Sequence, residues 1–184
     1  MSRSLLLALA LASGAASAQD APLPNTSVPV LDLQRYSGQW HEIAHLPMFF
    51  QRKCVANITA TYTPRDDGTV GVRNACDEKD GTRSVSEGTA RTVAGHPGRL
   101  EVRFAPGWLA WASMVWADYW IVDLDPGYRW AVVGGPDRKY LWILSRTPTM
   151  PRAEYEAIRA RAAQRGYPVD KPLPPPRTLA PPPT

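Results

Sequence analysis

Between about residues 39 and 145 the chain breaks into eight short stretches of strand-like sequence, most of them ended by a turn signal. The clearest is Leu100-Glu101-Val102-Arg103-Phe104, with three apolar residues on one face and two charged residues on the other. Strand side chains point alternately to opposite faces, so such a pattern makes a sheet with one dry and one wet side. The turns are Pro64 to Gly68, Asp77 to Gly81, Gly95 to Gly98, Asp125 to Gly127 and Gly135 to Asp137. Short turns between successive strands build an antiparallel up-and-down meander. Closing the meander on itself removes its exposed edges. The expectation is an all-β protein, an eight-stranded antiparallel barrel. Its strands fall at about 39–45, 55–63, 69–75, 83–93, 100–104, 118–124, 128–134 and 139–145.

The first strand is entered through Gly38. Strict alternation puts Trp40, Glu42 and Ala44 on one face and His41, Ile43 and His45 on the other. A tryptophan at the start of a strand can plug one end of a barrel, with a cation over its ring. Arg146, just after the last strand, is the candidate, so Gly38, Trp40 and Arg146 form the expected base. The face shared with Trp40 is the expected interior. It carries Ile58, Ala60, Tyr62, Val70, Val72, Asn74, Val102, Phe104, Tyr119, Ile121, Val133, Tyr140 and Trp142, with Leu100, Ala131 and Leu144 beside them. The fourth strand adds mostly small residues, Ser84, Ser86, Gly88 and Ala90, which leave space. Glu42 points inward on this pattern and needs a partner, for which Arg146 is the candidate. A hairpin centred on Arg65 sets Cys54 opposite Cys76 at the far end, within reach of a disulfide.

Residues 1–18 have a basic residue, an apolar run and a small-residue ending, the pattern of a secretory signal peptide. Residues 19–30 read as an extended leader, 31–170 as the barrel with one C-terminal helix, and 171–184 as a proline-rich tail. The helix is expected at about 151–165, with Thr149 as N-cap, Gly166 after its end and Tyr155, Ile158 and Ala162 facing the barrel wall. The net charge of +4 is mild and no basic cluster sits on a recognition element, so nucleic acid is not an expected partner.

Gly38-x-Trp40, Asp118-Tyr119 and Ser145-Arg146, in that order and spacing, resemble the conserved regions of the lipocalin family. Within it the chain resembles the bacterial outer-membrane lipocalins and the apolipoprotein D-like members. The carrying stretches are Ser37 to Ala44, Thr59-Ala60-Thr61-Tyr62, Ser86-Glu87-Gly88 and Gly135 to Pro148. Ala117 departs from the threonine many members have there. On alternation alone a filled core ranks first. The resemblance reverses that order and implies a cavity that carries or stores a fatty acid or lysophospholipid, for maintenance of the cell envelope. It also implies export, to the periplasm of a Gram-negative bacterium or the face of its outer membrane. No cysteine lies near the expected cleavage site to take the lipid anchor of bacterial lipoproteins, so a soluble protein, monomer or dimer, is expected.

Two competing functions are an enzyme built in a lipocalin barrel and a protein-binding module using the apolar loop 106–116. The sequence has no nucleophile elbow, phosphate loop or dinucleotide fingerprint. His41 and His45 lack further ligands at metal spacing. The expectation is a non-catalytic carrier with no cofactor and no metal. Trp108, Trp111 and Trp116 give the loop more apolar surface than a monomer usually exposes. A lid folded over the mouth is the first reading of the loop, transient contact with a membrane surface the second and self-association the third.

Overall fold

The computed structural model describes residues 21–105, 107, 112–170, 173 and 179–180. The expected signal peptide, most of the proline-rich tail and the side chains of Trp108 and Trp111 lie outside the described residues.

A single helical turn, α1 (Leu33–Tyr36), opens the domain, capped by Asp32, whose carboxylate accepts from the amides of Gln34 and Arg35. Strand β1 (Gly38–His45) follows, then a 3-10 turn at Phe49–Gln51. Next come β2 (Cys54–Pro64), β3 (Val70–Glu78), β4 (Arg83–Val93), β5 (His96–Arg103), β6 (Ala117–Leu124), β7 (Trp130–Gly134) and β8 (Trp142–Ser145). Each pairs antiparallel with the next, and β8 pairs back onto β1, so the eight strands form a closed barrel. After a two-residue strand β9 (Met150–Pro151) comes the helix α2 (Arg152–Gln164). Leu179–Ala180, here β10, pairs parallel to β9.

The buried residues form two layers. Tyr36, Trp40, Tyr62, Val70, Val72, Ala90, Leu100, Tyr119, Ile121, Ala131, Val133 and Leu144 pack inside the barrel. Ile43, Ala44, Val122, Trp130, Val132, Leu141 and Ile143 line its outer wall beneath α2, which contributes Tyr155, Ile158 and Ala162. Leu173, in the stretch expected to bury little, joins that second layer. The helix ends as its glycine suggests. Gly166 sits at φ +85°, its amide bonds Ala163 O, and the Tyr167 amide bonds Ala162 O. The start differs from expectation. Pro151, not Thr149, precedes the first turn and no side chain caps it. The Thr149 carbonyl instead accepts from the Thr147 hydroxyl.

Two strand boundaries move for identifiable reasons. The residues Gly95 to Gly98, read as a turn, are mostly strand, because the reversal is tighter and centred on Gly95 at φ +75°. Gly98 is buried under the leader, where an added Cβ would lie 2.5 Å from Val28 O. The last strand begins later than expected, at Trp142, so Tyr140 lies in the preceding loop and is 38 % exposed.

Candidate ligand site

The floor is built from rings. Trp40 is fully buried and donates its Nε1–H to Tyr36 O at 2.8 Å. The guanidinium of Arg146 lies 3.7 Å from the centre of the Trp40 ring. It donates to the carbonyls of Arg35, Tyr36, Gln39 and Tyr128, which fastens α1 and the β7 entry to the barrel end. Above Trp40 the hydroxyl of Tyr119 bridges those of Tyr36 and Tyr62, at 2.7 Å each. Burial pushes all three phenols up, Tyr62 to about 12. Tyr36 was not among the expected interior residues. Its place four residues before Trp40, on the turn that Asp32 caps, was the available signal.

The expected interior residues divide by height. Tyr62, Val70, Val72, Tyr119, Ile121 and Val133 are buried against one another and fill the lower half. Ile58, Ala60, Asn74, Val102 and Trp142 are only partly buried, and Ala60, Val102 and Trp142 pack against that cluster. Phe104 lies past the end of β5, 44 % exposed, with its ring over Gly88. It is a residue of the mouth, as is Tyr140, which stacks on Trp142 at 6.1 Å. Asn74 Oδ1 is buried with no hydrogen-bond partner among the described residues. The Cys54–Cys76 disulfide ties β2 to β3 at the open end, with Cα atoms 5.5 Å apart.

The largest departure from the expected pattern is in β1. A β-bulge between Glu42 and Ala44 breaks the alternation. Beyond it Ala44 pairs with Ile143 on the outer wall, and His45 pairs with Trp142 on the inner face. His45 therefore sits with Glu42, not with His41 and Ile43. Glu42 finds its partners there and not in Arg146. Its Oε1 accepts from His45 Nδ1 at 2.6 Å and its Oε2 from Gln51 at 2.5 Å, while Gln51 Oε1 accepts from Trp142 Nε1. The β1–β2 ladder ends at the His41–Thr59 pair, and above it a cleft of about 560 Å³ opens between the two strands. Glu42, His45, Met48, Phe49, Gln51, Arg52 and Ile58 line it. Sequence reading missed this network because an inserted residue in one strand leaves no mark in a short alternating run.

The apolar loop is only partly described. Met114 is 90 % exposed. Trp116 is half-buried, with the guanidinium groups of Arg91 and Arg103 over its ring at 4.1 and 5.0 Å. Among the described residues no cluster of three or more His, Cys, Asp or Glu could hold a metal.

The family model described as a lipocalin-like domain matches residues 31–175. The chain is a lipocalin. Temperature-induced lipocalin-1 of Arabidopsis thaliana is 39 % identical over 144 residues, covering 77 % of this chain and 76 % of that one. The outer membrane lipoprotein Blc of Escherichia coli K12 is 38 % identical over 170 residues, covering 90 % and 92 %. Apolipoprotein D of Macaca fascicularis is 34 % identical over 167 residues, covering 84 % of each. Among solved structures, the cockroach allergen Per a 4 superposes with a TM-score of 0.62 at 19 % identity, over 88 % of this chain and 96 % of that one. Insecticyanin from the tobacco hornworm gives 0.61 at 21 %, over 87 % and 92 %. The order of Gly38-x-Trp40, Asp118-Tyr119 and Ser145-Arg146 is thus that of a lipocalin, and its barrel base is the Trp40–Arg146 stack.

Proposed function

We propose that this lipocalin is a non-catalytic carrier of a single-chain amphiphile, a fatty acid or a lysophospholipid, exported to the cell envelope of a Gram-negative bacterium. The observation that carries the reading is the division of the barrel by height. The lower half is packed on itself, while toward the open end Ile58, Phe104 and Trp142 are only partly buried or exposed and a cleft of about 560 Å³ lies beside them between β1 and β2. Known ligand pockets run from about 300 to 1,000 Å³, with a few polar groups among apolar walls. Ile58, Ala60, Val102, Phe104 and Trp142 line the tail site, and Asn74 offers an acceptor to any donor on the ligand. Tyr119 belongs to the floor, since both neighbours of its hydroxyl are tyrosines. Export is supported by the pattern of residues 1–18 and by the likeness to outer membrane lipoproteins. Phe49 and Met114, both highly exposed, suit brief contact of the rim with a donor membrane, together with Trp108 and Trp111.

The test is a titration with saturated fatty acids of increasing length. Each buried methylene is worth about 0.8 kcal/mol, so affinity rises with length until the upper half is full and then levels. A protein that binds none of the series, or binds all with one affinity, is not a carrier of this kind.

A further inference from the structure

We propose that the cleft between β1 and β2 is a headgroup subsite that holds the anionic oxygen head of the amphiphile, with the tail in the upper lumen. This rests on the carrier reading and adds where the head lies and what charge it bears. The head leaves through the side of the barrel, not through the mouth between Phe104 and Tyr140.

The bulge makes the opening. Past the His41–Thr59 pair, β1 holds to β8 and leaves β2, and the bulge turns His45 inward into the gap so formed. The polar groups there are largely engaged with each other. An ionised carboxylate only accepts hydrogen bonds, so Glu42 fixes the His45 tautomer with the proton on Nδ1. Nε2 is then the ring's remaining polar atom. Gln51 gives one amide hydrogen to Glu42 and accepts from Trp142, which leaves its second hydrogen to donate.

Charge decides the ligand class. Four titratable residues line the cleft: His41, Glu42, His45 and Arg52. Glu42, with 7 % of its side chain exposed, has both oxygens engaged, by His45 and by Gln51. Burial pulls His41 down and favours its neutral form. Arg52, at the end of the 3-10 turn, forms no ion pair among the described residues. The charged group of the cleft left without an ion-pair partner among the described residues is therefore the Arg52 guanidinium. An anion placed between Arg52 and His45 meets a guanidinium and the Gln51 amide hydrogen. Charge-assisted bonds of this kind are about twice as strong as neutral ones. An ammonium head would face Arg52 with no free carboxylate. Met48, Phe49 and Ile58 add apolar surface to the cleft, and Ile58 is shared with the tail site.

Calorimetric titration of the whole protein with tetradecyl sulfate, tetradecanol and tetradecylamine below their aggregation limits tests this. The sulfate stays ionised throughout, so its advantage over the alcohol reads the head alone. The expected preference is about tenfold or more, roughly one charge-assisted contact. Arg52→Ala should cut that ratio by about threefold or more. Arg52 is exposed, so its variant is expected to fold. Repeating the comparison with tetradecanoate and with a lysophosphatidylglycerol of equal chain separates a carboxylate head from a phosphate head by which loses more affinity in Arg52→Ala. A preference for the amine, or a sulfate-to-alcohol ratio unmoved in folded Arg52→Ala, overturns the subsite. Wild-type protein that binds none of the three overturns the carrier reading instead.

Discussion

Arg146 spends its guanidinium on main-chain carbonyls, so its loss is felt at several points at once. Four carbonyls, from Arg35, Tyr36, Gln39 and Tyr128, lose a donor, and the Trp40 ring loses its cover. Arg146→Ala is expected to lower stability by about 1–3 kcal/mol. In urea the midpoint should fall with the slope unchanged, and ligand affinity in the folded fraction should hold, because Arg146 lies under the floor. The tyrosine bridge gives a second prediction at this scale. Tyr62 titrates near 10 when exposed and is pushed up to about 12 in the fold by burial, with Tyr36 and Tyr119 also raised. Between those values the unfolded chain has released protons that the folded one still holds. Stability is therefore fully present below pH 10 and falls as pH rises toward 12. Urea midpoints measured from pH 8 to 11 should drop only at the alkaline end, in step with phenolate absorbance. A flat profile would mean that the floor is solvated.

At the scale of elements, β2 and β3 form the barrel's long hairpin, and its open end is held covalently. Cys54 and Cys76 are separated by 22 residues. Closing a loop of that length in the unfolded chain stabilises the fold by about 3 kcal/mol on the loop-entropy account. The double variant Cys54→Ala, Cys76→Ala is expected to lose about that amount. Peptide mapping without reduction should recover the two cysteines as one linked pair. Strand β1 is the element whose behaviour matters most for the site. Its lower half pairs with β2 and its upper half does not, and the bulge between these halves is what turns His45 inward.

At the scale of the whole molecule, residues 21–30 tie the two layers together. Leu23 donates to Gln164 at the end of α2, Asn25 to Gly135 after β7, and Val28 to Ile121 in β6. The β5–β6 ladder stops at Arg99–Trp120, and Val28 takes up the next carbonyl of β6. Protein beginning at Leu31 is therefore expected to melt several degrees below protein beginning at Ala21, since losing such bonds costs of order 1 kcal/mol each. Calorimetric scans of the two forms decide it, and equal melting temperatures would make the leader a passive covering.

What the sequence determined is what depends on local chemistry. Alternation set the strands, turn residues set the reversals, and Gly166 set the helix end. The barrel and its Trp40–Arg146 base were legible because their signals sit in short stretches and in a fixed order. Which interior side chains are buried and which only partly so was not legible, because Tyr119 and Trp142 look alike as inward aromatics until neighbouring strands set their levels. The same holds for Trp116, whose two arginine neighbours come from β4 and β5. The Glu42–His45–Gln51 network was decided by tertiary structure alone. One bulged residue in β1 reverses the face of every side chain beyond it, and pairing with β8, not the sequence of β1, determines where that residue goes.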